Sequence, residues 1–241
     1  MVHHVTLNSS MPTMNDCSIP GGLRRKVVLE MGVLCILTTL FLILFPKRPP
    51  LVDIALAGVA LLGVAASVPY TREKIWRVFP ERPIDHRWKR CCTVVLWVTI
   101  PSVLIFLAIG GLLAYRNGGW PDVRARIFDP RILAVFGVYL LWALMQQALF
   151  QFFLLGRLLV LSPARMPALA ILLTGICISL VHLPDLPTTI ATAAAGILWT
   201  CIYYRYRLLL PLAFSHAALG TAFFYGLLGH NLAAEWNSVF R

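Results

Sequence analysis

Acid is scarce in this sequence. Ten Asp and Glu stand against 21 Lys and Arg over 241 residues, and charged side chains make up only 13% of the chain. With 59% hydrophobic residues beside them, the apolar surface exceeds what one soluble core of this length can bury. A soluble globule is thereby excluded and a membrane protein is expected. None of the six cysteines (Cys17, Cys35, Cys91, Cys92, Cys177, Cys201) forms a C-x-x-C pair, so they read as free thiols that pack as small apolar groups in or beside helices. The first 26 residues, with His3, His4, Asn8, Asn15 and Asp16, lack the charged start and cleavage site of a secretory signal and are expected to form a loose polar tail.

What is present in quantity is apolar sequence in lengths that suit a hydrocarbon layer about 30 Å thick, roughly 20 residues per helix. Seven such runs are expected to be helical spans: Val27–Phe45, Leu51–Val68, Cys91–Tyr115, Ile132–Leu155, Met166–Leu183, Pro187–Tyr204 and Leu208–Leu228. The predicted fold is an all-α polytopic transmembrane bundle. It divides into the tail 1–26, N-terminal transmembrane helices over 27–130 and a C-terminal core over 131–241.

The net charge of +11 does not form a basic patch interleaved with aromatics, so a nucleic-acid partner is not expected. Instead the cations collect at the ends of the apolar runs. Fourteen of the 21 fall on the side of the N-terminal tail, the second loop, and the loops holding Arg157, Arg165, Arg205 and Arg207. By the positive-inside rule this places the amino terminus in the cytoplasm.

Polar side chains inside apolar runs need partners. Glu30 lies at i+4 from Lys26, and the two are expected to pair near the interface. Asp53 is close to the start of its span. Arg157 is expected to snorkel to the headgroups. More costly are the chain's only glutamines, Gln146, Gln147 and Gln151, within WALMQQALFQFFLLGRLLVL, and two histidines, His182 in SLVHLPDLP and His216 in LLLPLAFSHAALG. Each taken alone fits an interhelical hydrogen bond worth about 1 kcal/mol. Together, with Asp185, they suggest the lining of one polar cavity. Counting helical rise brings Gln146 and His216 to similar depth, and leaves His182 too far unless the HLPDLP hairpin dips into the membrane.

These residues also carry a resemblance. QQALFQ (146 to 151) is similar to the EExLFR form of the first motif of the CAAX prenyl protease and bacteriocin-processing (CPBP, or Abi) intramembrane endopeptidases. ICISLVHLP resembles their FxxxHLP, with Ile178 at the Phe position and His182 at the histidine. LLLPLAFSHAALG resembles their third motif, with His216 at the histidine and Gly220 where Asn or Asp is expected. The resemblance covers about Ile132 to Leu228 and implies an intramembrane peptidase fold whose site is Gln146, Gln147, Gln151, His182 and His216. It also implies a fault, because the family's glutamate activates water and an amide cannot accept that proton.

Three functions follow as expectations. The first is a catalytically silent relative that binds a membrane-proximal peptide or a membrane protein. The second is an active endopeptidase using His182 or His216, with no cofactor or with a metal such as Zn²⁺ held by His182, Asp185 and His216. The third is a transporter-like subunit, against which stands the lack of an internal repeat.

Overall fold

The computed structural model describes residues 21–44, 50–75, 87–162 and 166–230. Every regular element among them is helical: α1 (Gly21–Leu44), α2 (Pro50–Tyr70), α3 (Arg87–Gly118), α4 (Trp120–Ile127), α5 (Arg131–Gln147), α6 (Leu155–Leu161), α7 (Pro167–Leu180), α8 (Leu186–Tyr206) and α9 (Leu209–Thr221). Three helices widen into π turns, at Thr71–Ile75 after α2, Ala148–Leu154 between α5 and α6, and Ala222–Leu228 after α9. The all-α bundle read from the sequence is the fold, and each of the seven apolar runs contains a helix among the described residues.

Four stretches among the described residues are long and apolar enough to cross a membrane: Arg87–Gly118, Trp120–Leu161, Leu186–Tyr206 and Leu209–Leu228. The chain is an integral membrane protein. Its outward surface agrees, since large apolar side chains such as Leu29, Trp97 and Leu133 point away from the protein at 70 to 77% exposure, where only lipid makes them inexpensive. α7 is shorter than the 18-residue span expected there: its 14 residues reach about 21 Å. The chain turns at His182 and restarts at Leu186, where the Asp185 carboxylate caps α8 by accepting from the Thr188 backbone N–H and hydroxyl.

Between apolar helices in lipid, close approach matters more than hydrophobic burial, so small residues mark the seams. α7 and α8 meet at Gly175 and Gly196. A Cβ on Gly175 would stand 2.8 Å from the Ile197 backbone nitrogen, and one on Gly196 would stand 3.2 Å from the Gly175 carbonyl oxygen. Either side chain would pry the pair apart. The core beyond this seam is built from Cys91, Phe152, Leu155, Trp199, Tyr203 and Leu212, which ties α3, the Ala148–Leu154 segment, α6, α8 and α9 together.

Several expectations are corrected here. Helix α1 begins at Gly21, so the polar tail ends before residue 26; residues 1–20 and Cys17 lie outside the described residues, as does the side chain of Asp53. Cys91 is buried as expected of a packed thiol, whereas Cys35 and Cys201 face outward. Lys26 does not pair with Glu30 but sits 3.8 Å above the Tyr70 ring. Glu30 reaches Arg157 instead, with Nε of the guanidinium donating to Oε2 at 3.0 Å. Arg157 therefore does not snorkel. Its side chain is 0% exposed, donates from Nη1 to Thr71 Oγ1 at 3.0 Å and to the Phe153 carbonyl at 3.3 Å, and lies over the Phe153 ring. A carboxylate, a hydroxyl and a π face, drawn from α1, the turn after α2 and its own helix, hold the cation inside the bundle, while its buried Nη2 donates to no group among the described residues.

Candidate functional site

His216 occupies the middle of α9, where Pro211, Leu212, Ala213, Ser215 and Ala217 are buried around it. Only 5% of the residue is exposed. One face of its imidazole stacks on Trp199 of α8, with centroids 4.5 Å apart, and Tyr139 of α5 meets it edge-on at 5.9 Å. At the ring edge, Gln147 Nε2 stands 3.3 Å from His216 Nδ1. The amide carries no charge and can meet either tautomer of the ring, its nitrogen donating to a bare Nδ1 or its oxygen accepting from Nδ1–H. A carboxylate in the same place could only accept, and would favour the imidazolium.

The aromatic wall is held by its own polar chain. Trp199 Nε1 donates to Ser215 Oγ at 3.1 Å, and Ser215 Oγ shares a 2.7 Å hydrogen bond with Thr99 Oγ1 of α3. One helical turn beyond Gln147, Gln151 is wholly buried and donates from Nε2 to Thr200 Oγ1 at 3.1 Å, while that hydroxyl donates to the Gly196 carbonyl at 2.6 Å. Nothing in the sequence motifs selected Thr99, Tyr139, Trp199, Thr200 or Ser215. A polar residue at every approach to a buried histidine was the available signal, and it is faint in helices this apolar.

The three glutamines are not equivalent. Gln147 and Gln151 face inward, at 2% and 0% exposure, and Gln147 rather than Gln146 meets His216. The depth count erred by one residue, a rotation of about 100°. All three side-chain oxygens, including that of Gln146, are buried and accept no hydrogen bond among the described residues. The site is therefore short of donors.

Gly220 explains how the bundle closes over a missing side chain. A Cβ there would strike the Tyr139 ring, 2.8 Å from Cζ and 2.9 Å from the hydroxyl oxygen. Tyr139 fills the volume in which an Asn or Asp at this position would begin.

His182 lies in the turn after α7, half-buried, and within electrostatic reach of His216. Its neighbour Asp185 is engaged with Thr188. Among the described residues no three His, Cys, Asp or Glu side chains gather to hold a metal ion, so His182, Asp185 and His216 do not form the set expected for zinc. An open pocket among the described residues lies elsewhere, at the end of the bundle where α4 meets the Ala222–Leu228 segment.

Against known proteins, the model of the family described as type II CAAX prenyl endopeptidase Rce1-like matches residues 128–222. That segment holds Gln146, Gln147, Gln151, His182 and His216, so the resemblance read from the three motifs stands. No curated protein and no solved structure matches the chain.

Proposed function

We propose that this CAAX-protease-like membrane protein is a catalytically silent relative, whose core binds a membrane-proximal peptide or a membrane protein without cutting it. The observation that carries the reading is the contact between Gln147 and His216. At a glutamate position of the family motif an amide meets the histidine, and an amide, unlike a carboxylate, cannot take a proton from water. The only acidic residue between Ile132 and Leu228 is Asp185, and it caps a helix. The buried oxygens of Gln146, Gln147 and Gln151 accept no hydrogen bond among the described residues, so a peptide that parts these helices would find acceptors for its N–H groups. The positive-inside bias supports a cytoplasmic amino terminus for this reading.

The test reconstitutes the full chain with membrane-tethered peptides, prenylated and unprenylated, beside His182→Ala and His216→Ala. The expected result is saturable peptide retention with no cleavage in any of the three proteins. Cleavage by the unmodified chain that disappears in either histidine variant would instead establish an active endopeptidase. A combined Gln146→Glu, Gln147→Glu and Gln151→Arg variant is expected to gain slow cleavage if only the base is missing.

A further inference from the structure

The described pocket opens at the opposite kind of place from the buried histidine. It holds about 260 Å³ and is lined by Asp122, Arg126, Asp129, Arg131, Tyr225 and His230 among others. α4 is the charged first turns of the stretch Trp120–Leu161 and directly follows the end of the crossing stretch Arg87–Gly118, so the pocket lies at a membrane face. Trp120 and Phe128 bracket α4 at 62 and 67% exposure, as aromatic side chains do at the headgroup level.

The charges in it are arranged unusually. Asp129 and Arg131 neutralise each other through hydrogen bonds of 2.9 and 3.0 Å from Nε and an ion pair at 2.7 Å. Asp122 and Arg126 do not. They are four apart on one helix, the spacing at which acid and base normally meet, yet among the described residues neither joins an ion pair. Two glycines hold them apart. The Asp122 carboxylate lies against Gly118, where a Cβ would strike it, and the Arg126 guanidinium lies against Gly229, where a Cβ would stand 2.6 Å from Nη2. Gly229 has φ 72, so its position is also one that larger residues resist. One free anion and one free cation thus face the same small volume without touching.

A guest that satisfies both must itself carry a cation and an anion a few ångströms apart. We propose that this pocket binds the headgroup of a zwitterionic phospholipid with a primary ammonium, its phosphate on Arg126 and its ammonium on Asp122, with the acyl chains running past Phe128 and Leu133. The volume is below the ~300–1,000 Å³ of pockets for drug-sized ligands and suits a group of headgroup size. Arginine takes phosphate in a forked hydrogen-bond pattern, while a primary ammonium donates to a carboxylate as a trimethylammonium cannot. Most of the pocket lies outside residues 128–222, so the inference is independent of the protease-like core.

Native mass spectrometry of the delipidated full chain tests this, with phosphatidylethanolamine, phosphatidylcholine and phosphatidylglycerol of identical acyl chains and soluble glycerophosphoethanolamine as a fourth probe. Phosphatidylethanolamine is expected to be retained about tenfold more tightly than the other two lipids, the worth of one charge-assisted hydrogen bond. Asp122→Asn should bring it to the level of phosphatidylcholine. Arg126→Gln should weaken both about tenfold, while Arg126→Lys keeps most of the binding and controls for folding. Equal retention of the three lipids by the unmodified chain, or retention unmoved by Arg126→Gln, would overturn the proposal. If glycerophosphoethanolamine binds as tightly as the lipid, the guest is a soluble zwitterion and the lipid assignment fails.

Discussion

Two polar clusters lie inside this bundle, and they solve the cost of burial in opposite ways. Among the described residues, the groups that meet His216 are an amide, an indole and a phenol, with a serine behind the indole. Around Arg157 the charges are kept, with Glu30 and Thr71 meeting a guanidinium that has no exposed surface. Neutral groups can be packed singly because each asks for about one hydrogen bond. A buried charge demands its counterion, and that demand fastens α1 to the helix carrying the family motif. Charge is thus absent around the buried histidine and present where it joins the N-terminal helices to the core.

The comparison breaks most visibly if one ion is removed. Arg157→Met alone should cost about 3–5 kcal/mol by stranding Glu30, whereas Arg157→Met with Glu30→Gln should recover most of that loss. Thermal unfolding in detergent reads the difference, and equal effects of the single and double variants would show that the pair does not act as a unit. A smaller effect tests the neutral cluster. Gly220→Asn restores the residue type of the family motif but collides with Tyr139, and should cost about 1–3 kcal/mol in the same assay; adding Tyr139→Ala should relieve the clash. Smallest of all, Ser215→Ala removes the acceptor of Trp199 Nε1 and should cost about 0.6–1 kcal/mol. An effect as large as that of the arginine would mean that the neutral cluster also behaves as a charged one does.

Length and apolarity made the helices legible, because a segment that must hide its backbone from lipid has little choice but helix. Of the motif positions, Gln147 and His216 come together, where the count of helical rise had named Gln146. Partner choice was not legible. Lys26 and Glu30 have the spacing of a helix pair, yet the stronger fork of Arg157, 127 residues away, takes the carboxylate. Arg157 near a helix end reads as a snorkelling cation only while its neighbours in space are unknown. The role of Tyr139 was hidden for a related reason: a ring that fills the space of an absent side chain leaves no mark on its own sequence. The π turns were equally silent, because they are set by hydrogen-bond register rather than by residue type.

One of those turns fixes how the two clusters face. Ala148–Leu154 separates Gln147, directed at α9, from Arg157, directed at α1. Each residue of an α-helix advances the azimuth by about 100°, and a π turn advances it less. The wider turn takes up about one extra residue, so removing one residue there would return the winding to α with the amide and the guanidinium aimed nearly as before, whereas winding the same residues as α would swing the guanidinium about 100° away from Glu30. The orientation of one end of this rod against the other is therefore held by that single widened turn.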